Sequence, residues 1–125
     1  MKFLLASFLL LIAVGTRANA CSCAGTRLPC EAYWMASDVF VGTVSFSTTT
    51  KIKEGDFEAT QRLVRFHVDR KLRGADATDV EVVTGLGSGD CGFGFRLGGQ
   101  YLVYAYRNKE NVLSTSICSR TRPKA

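Results

Sequence analysis

Histidine is almost absent from this sequence: His67 is the only one among 125 residues. No His-based zinc site can be built from one imidazole, and an acid–base pair of histidines has no second member. Its place in the middle of a predicted strand, on the more polar face, reads as a solvated rim position. Carboxylates are sparse too, 11 against 16 Lys and Arg, and no spacing among them suggests a paired acid and base. The stretch Gly85 to Gly99 is rich in glycine. It lacks the Gly-Lys-Ser/Thr ending of a phosphate loop and opens no helix, so turn formation is its expected role. With no set of nucleophile, base and stabiliser, the chain is expected not to be an enzyme. Basic residues do not alternate with aromatics along one strand face, which argues against nucleic acid as a partner. Past residue 20 there is no apolar run long enough to cross a bilayer, no internal repeat and no low-complexity block.

What is present begins at the N-terminus. Lys2 supplies a positive start, Phe3 to Val14 form an unbroken apolar run, and Ala18-Asn19-Ala20 gives a small-x-small cleavage site. Residues 1–20 therefore read as a secretory signal peptide, and residues 21–125 as one domain of a secreted, extracellular protein. The formal charge of +5 falls to about +3 once Lys2 and Arg17 are removed, 5 − 2. Arg120, Arg122 and Lys124 crowd the C-terminus. Such a tail suits contact with an anionic matrix polysaccharide or a membrane surface; the plainer reading is a solvated, frayed end.

Pro29 to Ser37 has helical composition with proline in a first-turn role, and its Tyr33 and Trp34 are expected to anchor in the core. Strands are predicted over Val39 to Phe46, Arg62 to Leu72, Val80 to Thr84, Gln100 to Arg107 and Val112 to Ser116. The Ser/Thr run and the segment Lys51 to Asp56 read as an exposed hairpin connection. Five strands with one or two short helices suit an all-β, disulfide-stapled, five-stranded OB-fold barrel. A plain antiparallel sandwich has the same strand count.

Five cysteines follow the cleavage site: Cys21, Cys23, Cys30, Cys91 and Cys118. In a secreted domain of this size they read as a disulfide framework with one cysteine left over. Each choice of the odd cysteine leaves three pairings, and arithmetic does not choose among them. A bridge between Cys21 and Cys23 would close a strained, tiny ring, so two separate long-range partners are expected. Bolted at both ends, Cys21-Ser22-Cys23 would form a rigid ridge with the α-amine and carbonyl of Cys21 held side by side, a pair able to chelate a metal. The rival readings are a simply stapled terminus and a Cys-x-Cys thiolate pair that carries metal.

Several segments in order resemble the inhibitory, netrin-like domain of the tissue inhibitors of metalloproteinases. They are Cys21-Ser22-Cys23 at the cleavage point, Ser37 to Thr43, Val80 to Thr84 leading to Asp90-Cys91-Gly92, Tyr101 to Tyr104, and Leu113 to Cys118. The resemblance implies a netrin-like OB-fold with bridges Cys21–Cys91 and Cys23–Cys118. It implies a metalloendopeptidase inhibitor with no cofactor of its own, the Cys21 amine and carbonyl chelating the zinc of a target protease. Ser22 would enter the pocket for the residue after the scissile bond. Cys23, Gly89 and Asp90 would complete the protease-binding set, and the loop Thr48 to Phe57 would add contacts outside the cleft. The family's third bridge joins a cysteine resembling Cys30 to one beyond Cys118; none follows here, which leaves Cys30 odd. Asp90 stands where the family tends to carry an apolar residue, and a carboxylate there would weaken affinity. Two alternatives are a netrin-like adhesion or matrix module without inhibitory activity, and a protein lipidated on Cys21, although Ala18 is not the leucine expected three residues before such a cysteine.

Overall fold

The computed structural model describes residues 21–125 apart from 26 and 75; the expected signal peptide lies outside them. One short helix, α1 (Pro29–Met35), precedes β1 (Asp38–Glu54), β2 (Phe57–Arg73), β3 (Asp79–Thr84), β4 (Gln100–Arg107), β5 (Leu113–Ser114) and β6 (Arg122–Pro123). Hydrogen bonding runs β1-β2-β3-β5-β4, and β4 returns to β1, which closes a ring of five strands. All neighbours in the ring are antiparallel except β3 and β5, which meet in parallel at Val83 and Ser114. A closed Greek-key ring of five strands is the expected OB-type barrel, and the sandwich alternative is excluded. β6 lies outside the ring, pairing Arg122 with Leu102 and Pro123 with Tyr101 of β4.

Alternation in the strands sorts the two faces. Val64 and Phe66 of β2 are buried while Arg65 and His67 point outward. They join Phe40, Val44, Val82, Tyr101, Val103, Ala105 and Leu113 in one core inside the barrel. The glycine-rich stretch does more than turn. Phe93 and Phe95 drop from it onto Phe66 and Tyr101, with ring centroids 4.6–5.8 Å apart and mostly edge-to-face. A second cluster, Ala32, Ala36, Val39 and Tyr104, docks α1 on the outside of β1 and β4.

Four expectations are corrected. Helix α1 stops at Met35, not Ser37, because Ala36 is extended (ψ 142°) and its N–H closes on the Ala32 carbonyl. Trp34 is no core anchor, being 68 % exposed. Arg73 lies over it at 5.4 Å, and Tyr33, half-buried, donates its hydroxyl to the Leu72 carbonyl at 2.8 Å. The Ser/Thr run is strand, not loop. β1 and β2 stay paired out to Glu54 and Phe57, so the connection is only Gly55-Asp56. Gly55 takes a positive φ of 64° there, at the position a type II′ turn reserves for glycine. Finally, the C-terminal residues are docked, not frayed: Lys124 N–H donates to the Gln100 carbonyl at 2.9 Å and Thr121 is buried.

No helix among the described residues is long and apolar enough to cross a membrane. The two disulfides belong to an oxidising, extracellular type of environment.

Candidate functional site

The bridges are Cys21–Cys91 and Cys23–Cys118, the arrangement implied by the resemblance, and Cys30 is a free, exposed thiol on α1. Their Cα–Cα distances are 5.2 and 5.3 Å, and they span 70 and 95 residues of chain. In the chain-entropy model, loops of that length contribute roughly 4–5 kcal/mol each. The sulfurs of Cys21, Cys23 and Cys118 all lie within 4.8 Å of one another, so the two bridges are stacked. That cluster is not a thiolate metal site, because every sulfur in it is consumed in a disulfide.

The ridge they hold has no helix or strand of its own over residues 21–25. Its footings are tied to each other: Ile117 N–H donates to the Cys91 carbonyl at 2.9 Å, and Cys118 N–H to the Ser116 hydroxyl at 3.1 Å. Behind Cys118 a hydroxyl cluster anchors the last segment to β4. Thr121 Oγ1 accepts the Tyr104 N–H at 2.9 Å, Thr115 donates to the Tyr104 carbonyl at 2.9 Å, and the two threonine oxygens are 2.8 Å apart. Sequence reading placed Tyr104 and Thr115 only in family-like segments and overlooked Thr121. The signal was the alternation of hydroxyls around Cys118: Thr115, Ser116, Ser119 and Thr121.

Cys91 sits in left-handed backbone (φ 59°), rare for a residue with a Cβ. Asp90 supports that conformation. Its carboxylate accepts the backbone N–H groups of Leu86 at 2.6 Å, Gly87 at 2.9 Å and Gly92 at 3.1 Å. A Cβ on Gly85 would collide with this carboxylate, and one on Gly92 with the Gly85 carbonyl, so the loop closes only with glycine at both places. The bond from Gly87, then that from Leu86, holds the Asp90 carboxyl below its ordinary value.

Cys21 and Gly89 line one depression of about 320 Å³, together with Gly87, Cys91, Gly92 and Ile117. Asp90 does not line it; it borders a separate groove of about 240 Å³ with Thr60 and Gln61 of β2 and Ser114 to Ser116. Ser22 is exposed, and neither it nor the backbone N and O of Cys21 enters a hydrogen bond among the described residues. The predicted set thus divides: Cys21, Ser22, Cys23 and Gly89 form the exposed ridge and its flank, while the Asp90 side chain turns back into its own loop. At the tip of the β1–β2 hairpin Phe57 is 81 % exposed, and no residue of Thr48 to Phe57 lines the Cys21 depression. His67 lies outside the site, its Nδ1 3.5 Å from Asp79 on the barrel surface.

Fold and site together define a small disulfide-stapled barrel that carries residues 21–25 as a covalently fixed, exposed ridge. Neither protein-family models nor curated proteins match the chain.

Proposed function

We propose that this protein is a secreted inhibitor of zinc metalloendopeptidases, related to the tissue inhibitors of metalloproteinases and their netrin-like domain. One observation carries the reading: Cys21 is fixed through Cys91 while its backbone nitrogen and carbonyl oxygen stay out of hydrogen bonds among the described residues. Such a pair fits a metal that arrives with the partner. The zinc belongs to the target protease, where it otherwise activates a water, and the Cys21 amine and carbonyl oxygen would hold it in that water's place. Cleavage after Ala20 makes the amine free. An unperturbed terminal α-amine titrates at about 7.7–8.0, so loss of its proton costs about 1 kcal/mol at neutral pH.

The surroundings suit this role. Ser22 is exposed beside the chelating residue and enters the adjoining pocket, Cys23 fixes the far end, and Gly89 flanks Cys21 with no side chain to obstruct the protease. Asp90 acts from behind, and its hydrogen-bonded carboxylate does not confront the target. The barrel presents the ridge; no catalytic group is required of it.

The test is a titration of several zinc metalloproteases with the native mature protein and with a form carrying one extra Ala before Cys21. Both forms are first checked for equal melting temperature and disulfides. The extended form is expected to lose inhibition by orders of magnitude. Comparable inhibition by the two forms would overturn chelation, and inhibition by neither would favour a matrix module with the same fold.

A further inference from the structure

The hydroxyl cluster that anchors the last segment also builds a cationic recess. A cavity of about 280 Å³ is lined by Arg27, Tyr106, Ser116, Ser119, Arg120 and Arg122 among others, and by no carboxylate. Arg120 is tied within it: its Nε donates to the Arg27 carbonyl at 2.7 Å, and its terminal nitrogens make no hydrogen bond among the described residues. Arg122 has no ion-pair partner among the described residues, while Arg27 shares its charge with the exposed Glu31 at 2.9 Å. The Tyr106 phenol makes no hydrogen bond among the described residues, and burial first of all raises its pKa, so it remains a neutral O–H donor. A second depression of about 360 Å³, lined by Val41, Leu102, Arg122, Pro123, Lys124 and Ala125, shares Arg122 with the first. Through Arg122 the two adjoin as one basic track, with Val41, Leu102 and Pro123 beside Arg122 and Lys124 at its second end. Docking of β6 on β4 and burial of Thr121 hold that track in place.

We propose that Arg27, Arg120 and Arg122, continued by Lys124, bind the sulfate groups of an extracellular linear polysaccharide. Guanidinium groups present parallel N–H donors to the oxygens of an oxyanion, and the hydroxyls beside them add neutral donors. Val41, Leu102 and Pro123 offer apolar faces to sugar rings between the charges. Two recessed depressions that meet at one arginine fit a flexible chain of repeated anions better than a flat membrane surface. The bridges place the fold in an oxidising compartment, which removes nucleic acid from the candidates. The recess is lined in part by Cys118, the bridge partner of Cys23, and the track shares no lining residue with the Cys21 depression. The proposal does not depend on the inhibitory reading.

The experiment is calorimetric titration of the mature protein with a heparin-derived hexasaccharide and with its desulfated counterpart. Anionic phospholipid vesicles form a third arm. The sulfated sugar is expected to bind with an affinity that falls as salt rises. At roughly tenfold per lost guanidinium contact, Arg120→Ala with Arg122→Ala weakens it about 100-fold. The single variant Arg122→Glu, at an exposed position with no ion pair to break, serves where the double variant folds poorly, and it should weaken binding more than tenfold. Lys51→Ala with Lys53→Ala, an equal charge removed from the β1–β2 hairpin, should leave affinity within about twofold. Equal losses in the two lysine and two arginine variants would overturn the proposal. So would equal binding of the desulfated sugar, or vesicle binding of similar strength with the same arginine dependence.

Discussion

The ridge and the outer half of the β1–β2 hairpin are fixed by opposite means. The hairpin is regular β-structure to its last pair, Glu54 with Phe57, yet beyond Arg62 no third strand adds to its β2 side. Its order rests on a two-stranded ladder, a unit of marginal stability by itself. The ridge has no regular structure at all, and yet two stacked disulfides and a three-pronged carboxylate hold it to the barrel. Regularity and rigidity are therefore separate properties in this molecule. The segment with the least secondary structure is the one best placed to present atoms at fixed positions.

That contrast can be broken most forcefully at Cys23 and Cys118. Replacing both with Ala should lower unfolding free energy by about 2–5 kcal/mol, read by denaturant titration, and should release the ridge. Little change in stability would mean that the ridge is held by its hydrogen bonds alone.

Asp90→Ala is a smaller cut on the same side. The three amides lose a charged acceptor, so Leu86, Gly87 and Gly92 should exchange their amide hydrogens faster, with a global loss of roughly 1 kcal/mol once solvent screening is allowed for. The pH dependence follows the sign of the shift. The Asp90 carboxyl lies below its ordinary 3.8 in the fold, so its contribution is full above that value and is lost as pH falls through the depressed one. The variant should show no such acid-side loss of amide protection in this loop.

The least change is expected at the hairpin tip, where Phe57→Ser removes an exposed ring and should shift stability by less than about 0.5 kcal/mol. A larger loss would place the tip in a packing contact and remove the contrast between the two regions.

How legible these regions were follows from what surrounds them. β4 was read to the residue, because Gln100 to Arg107 sits in the ring between neighbours and its alternation is imposed by burial. The outer hairpin was taken for a loop because Ser47 to Thr50 carry no apolar face; they are strand through pairing with β2. Trp34 was expected in the core, but it stands on the outer side of α1, 68 % exposed, with the Arg73 guanidinium over its ring. The ridge residues were found through the cysteines and their resemblance. The orientation of Asp90 was not, because it depends on three backbone N–H groups brought round by Gly85, Gly87 and Gly92, which no side-chain pattern reveals. Thr121 was overlooked within a basic tail, although its hydroxyl, bound to both Tyr104 and Thr115, is what keeps that tail docked.

The separation of 95 positions from Cys23 to Cys118 also sets an order of events as the chain folds. A chain emerging N-terminus first delivers the ridge at once, while the partner of its second bridge arrives almost a whole domain later. Contacts so remote in sequence are slow to form, and the barrel strands between them must come together first. Until then Cys23 is a thiol beside Cys21, open to exchange with whatever oxidant meets it. A ridge with its second bridge in place thus marks a chain whose barrel strands have come together.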